Sequence, residues 1–231
     1  MVGAVIVSGG KGSRMGADVP KQYLDLKGVP VLARTLTAFC DMEFIDNIVL
    51  VLPKDEWETF KSLPYAFGRE IHLAAGGARR QDSVRSGLKA LESLQTDGIA
   101  VIHDGARPLV TESIVKEGVE LCIRHGASAC GMKPKDTIKV RGEDGFSRET
   151  LDRDSLFSVQ TPQVFDLQKI LTAHERLEAS RETVTDDTAA YEKYIGGVYL
   201  YKGSYENIKI TTPEDMAVAE AILARRITKE W

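Results

Sequence analysis

A chain of 231 residues with 43% hydrophobic and 28% charged residues has the make-up of an ordinary globular protein, large enough to bury a sizeable core, and residues 1–231 are expected to form one domain. The formal net charge of −4 argues against a protein that coats nucleic acid or an anionic membrane, and no run of about 18 apolar residues is present to span a bilayer. No positive segment precedes a long apolar stretch at the start, so no signal peptide is expected and the cytoplasm is the default location.

The first predicted element is the β-branched run VGAVIVS, which gives way to the glycine-rich stretch SGGKGSRMG. Similar Val- and Ile-rich runs recur at DNIVLVLP, REIHLAA, GIAVIHD and ASACGMK, separated by stretches of helical spacing such as PVLARTLTAFC, DSVRSGLKALESL and TESIVKEGVELCIR. Strands alternating with helices predict a doubly wound α/β fold, Rossmann-like, with a mostly parallel twisted sheet and helices on both faces. After Lys135 the pattern turns polar through DTIKVRGEDGFSRETLDRDSLFSVQTPQ, and the turn signal GEDG between two extended stretches predicts a β-hairpin arm at about residues 136–155. Helices return from Val164, followed by GVYLYKG, NIKI and a closing helix after Thr212, with Pro213 in its first turn and Glu214 and Asp215 near its positive end.

Glycines directly after a first strand lie where ligands of open α/β sheets collect, and their missing side chains let backbone N–H groups approach phosphate oxygens. Gly9, Gly10 and Gly12 fit neither a dinucleotide fingerprint, because Met15 breaks it, nor a P-loop, because Arg14 stands where the second glycine belongs. A pair of cations comes close behind them, Arg14 with a planar fork of donors and Lys21 with a compact charge, as suits a triphosphate attacked at one phosphorus. Two further candidate loops, GGARRQDS and HDGARP, succeed other predicted strands, and Asp104 at the end of one of them is placed to hold a ribose hydroxyl or Mg²⁺. Cys40, Cys122 and Cys130 form no C-x-x-C pair, and His72, His103, His125 and His174 show no close ligand spacing, so buried thiols and no histidine metal site are expected.

Through SGGKGSRMGADVPKQYL, GGARRQDSVRSGL, IHDGARP, DTIK, QTPQVF, TDDTAAYE and NIKITTPED, the sequence resembles the 2-C-methyl-D-erythritol 4-phosphate cytidylyltransferases of the non-mevalonate isoprenoid pathway over essentially its whole length. It departs from the usual family pattern at Ser8-Gly9, Ala78 and Gly105. The resemblance implies transfer of CMP from CTP to the sugar-alcohol phosphate, with release of pyrophosphate and Mg²⁺ on the triphosphate. It implies a CTP site of Ser8, Gly9, Gly10, Gly12, Arg14, Lys21, Gly77, Ser83, Asp104 and Gly105. Asp104, Arg107, Thr137, Arg153, Thr161, Thr185 and Lys209 would bind the acceptor, and Arg14, Lys21, Arg153 and Lys209 would carry catalysis. Asp104 is also a candidate metal ligand, directly or through water. The same resemblance implies a homodimer whose arms interlock and exchange Arg153. A cytidylyltransferase for another polyol phosphate, such as ribitol 5-phosphate, is the nearest alternative, because such an enzyme would share the CTP loop and differ chiefly in the acceptor pocket.

Overall fold

In the computed structural model, residues 1–9 and 20–229 are described, apart from the side chains of Lys21 and of residues 227–229. In chain order the elements are β1 (Val2–Val7), a short ribbon of β2 (Asp25–Leu26) and β3 (Val29–Pro30), α1 (Val31–Cys40), β4 (Asn47–Leu52), α2 (Trp57–Lys61), β5 (His72–Ala75), α3 (Arg80–Leu94), β6 (Ile99–Asp104), α4 (Glu112–His125) and β7 (Ala127–Met132). Beyond them come β8 (Lys139–Arg141), β9 (Ser147–Thr150), β10 (Ser158–Asp166), α5 (Leu167–Ser180), α6 (Asp187–Tyr194), β11 (Tyr199–Lys202) and α7 (Pro213–Lys229).

Among the described residues, seven strands form the main sheet in the order β11-β7-β10-β6-β1-β4-β5. All its pairings are parallel except the two made by β10, which runs against both β6 and β7. The inner strands β1, β4, β6 and β7 are buried on both sides, as parallel strands covered by crossover helices must be, whereas three of the four residues of the edge strand β11 are exposed. Ala4 and Ile6 of β1 face one layer with Leu32, Leu36 and Phe39 of α1 and Val115 and Val119 of α4. Val5, between them in sequence, faces the other layer with Val84, Leu88 and Leu91 of α3 and Ile170 and Leu171 of α5. A third, smaller cluster joins α7 to the β2–β3 ribbon through Leu26, Leu109, Ile210, Ala219 and Ile222. Among the described residues no helix is long and apolar enough to cross a membrane.

The doubly wound, mostly parallel sheet and the hairpin are as the sequence pattern predicts. β8 and β9 pair antiparallel around Gly142–Phe146, and every residue of both strands is exposed. The three cysteines are buried and free. One central element departs from expectation. SVQTPQVFD, read as the end of a polar excursion, is β10, in the middle of the sheet. Its polar residues are the reason it reads as surface: Thr161 and Gln163 are 3% and 2% exposed, and both are hydrogen-bonded inside.

Candidate active site

The strands β1, β4, β5 and β6 end along one edge of the sheet, and their ladders continue into the loops beyond. Ser8 N–H donates to Val51 O, Gly76 N–H to Leu52 O and Gly105 N–H to Val7 O, each at 2.8–2.9 Å. These bonds bring Ser8, Gly9, Gly76, Gly77 and Gly105 to a common edge, where an open α/β sheet binds its ligand.

Close approach explains two of the glycines. A Cβ on Gly77 would lie 2.4 Å from that of Asp82, in the first turn of α3, and one on Gly105 would lie 3.0 Å from the Ser8 side chain. Ser83 ties the first of these loops to the helix, accepting from Gly77 N–H at 3.0 Å and donating to Arg79 O at 3.2 Å. Its hydroxyl would also stand 3.2 Å from a Cβ at Gly9, so the β1 and β5 loops touch there. Gly10, Gly12 and Arg14 lie outside the described residues. Lys21 opens a 3-10 turn, Lys21–Tyr23, and its side chain is outside the described set.

Next to these loops, Asp104 closes β6 and is 6% exposed. Lys209 Nζ lies 3.0 Å and Arg107 Nε 3.3 Å from its Oδ2, and Arg80 Nε lies 3.6 Å from its Oδ1. Burial opposes the charge, but Arg80, Lys209 and Arg107 outweigh it and hold the carboxyl far below its ordinary range, so Asp104 is a carboxylate at any working pH. Arg107 also donates to Asn207 O at 2.8 Å, fastening the segment that carries Lys209 to the end of β6.

Thr161 completes the inner wall. Its hydroxyl accepts from Asp104 N–H at 3.0 Å and bonds His103 Nδ1 at 3.1 Å, while His103 Nε2 donates to Arg107 O at 3.2 Å. Thr185 is exposed in the loop ahead of α6. Thr137 and Arg153 are exposed at the root of the arm, where Arg153 Nη1 donates to Lys135 O at 2.9 Å. Within one chain, Ser8, Gly9, Gly77, Ser83, Asp104, Gly105, Arg107, Thr161 and Lys209 therefore share one edge of the sheet, whereas Thr137 and Arg153 belong to the arm.

Two residues that motif reading passed over are built into this cluster. Arg80, the first residue of α3, places Nη1 2.8 Å from Oδ2 of Asp187, the first residue of α6. A cation opening a helix opposes the helix dipole, so an arginine directly after Arg79 in GGARRQDS was a signal that something beyond its own helix holds it.

A mostly parallel α/β sheet with glycine loops and a cation-ringed carboxylate at its carboxyl edge belongs to the nucleotide-binding, group-transferring class. More narrowly, the chain belongs to the 2-C-methyl-D-erythritol 4-phosphate cytidylyltransferase family, whose family model matches residues 2–225. It is 50% identical over 225 residues to the 2-C-methyl-D-erythritol 4-phosphate cytidylyltransferase of Clostridium novyi, covering 95% of each chain. Its structure is similar to that of 4-diphosphocytidyl-2C-methyl-D-erythritol synthase from Anaerococcus prevotii, with a TM-score of 0.85 at 33% identity over 96% of each chain. The Francisella tularensis 2-C-methyl-D-erythritol 4-phosphate cytidylyltransferase gives a TM-score of 0.82 at 27% identity, over 95% of this chain and 98% of that one.

Proposed function

We propose that this chain transfers the cytidylyl group of CTP to 2-C-methyl-D-erythritol 4-phosphate, forming 4-diphosphocytidyl-2-C-methyl-D-erythritol and pyrophosphate. The observation that carries the acceptor half of this reading is the grip of Lys209, Arg107 and Arg80 on Asp104 beside the glycine loops. It offers a fixed carboxylate for hydroxyls and an adjacent ammonium for a phosphate. Another polyol phosphate, such as ribitol 5-phosphate, is not favoured, because relatives aligned over the whole chain carry the methylerythritol name.

The chemistry needs little from titrating side chains. A phosphate monoester has a second pKa near ~6 and is largely a dianion at neutral pH, so an acceptor oxygen can attack the α-phosphorus without a base. The new bond joins that oxygen to the α-phosphorus. The bond from the α-phosphorus to the bridging oxygen of the β-phosphate breaks, and its electron pair leaves with pyrophosphate. Catalysis then consists of alignment and charge neutralisation, for which Arg14 and Lys21 are the proposed cations, with Ser8, Gly9, Gly10, Gly12, Gly77, Ser83 and Gly105 enclosing CTP. Asp104, Thr185 and Lys209 would face the acceptor, Arg107 and Thr161 building the wall behind them.

Mg²⁺ is proposed to arrive on the triphosphate, as part of the nucleotide substrate. Asp104 does not fit a direct ligand, because both its oxygens face cations and a divalent ion there would sit among three positive charges. Among the described residues no group of three His, Cys, Asp or Glu side chains could hold a metal.

The working unit is proposed to be a cytoplasmic homodimer, with Thr137 and Arg153 serving the neighbour's site. Support comes from the arm, a two-stranded ribbon that leaves Ile138, Val140 and Phe146 37%, 41% and 72% exposed. A lone hairpin of this kind is marginal in water, and a second copy is the economical cover.

Pyrophosphate release with CTP and Mg²⁺ against a panel of polyol phosphates tests the reaction. Methylerythritol phosphate is expected to give the highest kcat/KM; a higher value with ribitol 5-phosphate, or no release with either, would overturn the reading.

A further inference from the structure

Two consecutive arginines begin α3, and they do different work. Arg79 is turned back on its own helix: its Nε and Nη2 take both oxygens of Asp82, at 3.0 and 2.8 Å, and its N–H takes one of them at 3.1 Å. Arg80 is turned inward, with one nitrogen on Asp187 and another toward Asp104. Its guanidinium is thus a bridge between a carboxylate in the crevice and one sealed behind it.

The sealed end is anchored from several directions. Asp187 is 1% exposed, its N–H donates to Gln163 Oε1 at 3.1 Å, and its Oδ1 lies 3.2 Å from His174 Nε2 of α5. Its neighbour Asp186 is committed to the helix end, accepting from Ala189 N–H and from the Thr188 hydroxyl, and receives Gln163 Nε2 at 3.0 Å. Among the described residues, the side-chain contact of Asp187 that reaches a carboxylate in the crevice is the one through Arg80. Stability alone is a weak reason for the arrangement, since a buried ion pair replaced by apolar groups of similar size often costs nothing. What it does provide is a fixed direction for Asp104: with Oδ1 turned to Arg80, Oδ2 is presented to Lys209 and Arg107.

We infer that Asp187 is a positioning residue for the transfer, acting through Arg80 to fix the Asp104 carboxylate toward Lys209, and that it sets affinity for the polyol phosphate without touching it. The inference rests on the reading of Asp104 and Lys209 as the acceptor pocket.

The test is steady-state kinetics on the full chain, comparing Asp187→Asn, Arg80→Gln, the double variant and Asp104→Asn. Loss of one charged hydrogen bond in the support is expected to raise the acceptor KM about tenfold in Asp187→Asn, with the CTP KM within about twofold of wild type and kcat within about threefold. Arg80→Gln should behave alike, and the double variant should be no worse than Arg80→Gln alone, since Asp187 acts only through that side chain. An unchanged acceptor KM in Asp187→Asn, additive losses in the double variant, or an equal rise in both KM values would overturn it. Should Asp187→Asn fail to fold, Asp187→Glu carries the test, because it keeps a charge for Arg80 but displaces it by one methylene and so turns the guanidinium away from Asp104. There an acceptor KM within about twofold of wild type overturns the inference and a raised one, with CTP KM unmoved, supports it. Asp104→Asn separates the two readings. If it leaves the acceptor KM unchanged, the pocket assignment fails and the inference falls with it; if it raises that KM while Asp187→Asn does not, only the inference falls.

Discussion

The Thr161 hydroxyl and His103 Nδ1 share a hydrogen bond of 3.1 Å, and its direction is fixed by the far side of the ring. His103 Nε2 faces the Arg107 carbonyl at 3.2 Å, which can only accept, so Nε2 carries the proton and Nδ1 receives the threonine's. The imidazole is neutral in the folded protein, and burial pushes its pKa down from 6.5 to about 4. Between those two values the unfolded chain takes up a proton that the folded chain refuses. Stability is therefore expected to fall as the pH drops through 6.5, by about 2 kcal/mol from this group between pH 7 and pH 5, and to be insensitive to it above about pH 7.5. Denaturant unfolding of wild type and His103→Gln at the two pH values checks this. The variant should be less stable at pH 7 but show a shallower loss on acidification; equal slopes would contradict the assignment.

Lys209 supplies the ammonium beside Asp104, at 3.0 Å. Lys209→Ala is expected to raise the acceptor KM by roughly tenfold or more, the order of a lost charged hydrogen bond, while the KM for CTP stays close to wild type. Initial rates with each substrate varied in turn decide it, and a selective rise in the CTP value would place Lys209 on the nucleotide instead.

Arg153 sits exposed at the root of the arm, where it donates to Lys135 O, so subunit mixing tells whose site it serves. Lys21→Ala and Arg153→Ala are each expected to be nearly inactive alone. If Lys21 acts in its own chain and Arg153 in the partner's, a mixed dimer has one site with both lesions and one intact. Random re-pairing of equal amounts should then restore roughly a quarter of wild-type activity. No recovery on mixing would mean that Arg153 completes the site of its own subunit.

Removing divalent cations should abolish turnover, and adding Mg²⁺ should restore it in proportion to the MgCTP formed. Because Asp104 is ringed by cations, Asp104→Asn should leave the Mg²⁺ concentration for half-maximal rate within about twofold of wild type. A shift of tenfold would make Asp104 a metal ligand after all.

The apolar periodicity of β1, β4, β6 and β7 and of the helices between them made the sheet legible, because strands buried on both faces must be nearly continuous in Val, Ile and Ala. β10 was not legible in the same way. Its apolar residues are interrupted by Thr161 and Gln163, whose side chains are satisfied largely by distant segments, His103, Asp186 and Asp187 among them. The same limit hid Arg80: Arg79 and Arg80 are indistinguishable as letters, and only the fold turns one onto Asp82 and the other between two carboxylates. Asp104 and Lys209 could be picked out singly, but their adjacency depends on Arg107 holding the carbonyl of Asn207.

The reversed direction of β10 bears on how the arm could change over time. Met132 at the end of β7 pairs with Ser158 at the start of β10, so everything between them is the elaborated tip of one wide antiparallel hairpin. That tip opens at the same edge where Ser8, Asp104 and Gly105 lie. Residues can be gained or lost there without breaking a ladder bond of the main sheet, as loop tips generally allow. The arm is a graft point on the edge that carries Asp104, where length and sequence can drift, and with them whatever the arm packs against, while the sheet that carries the glycine loops stays as it is.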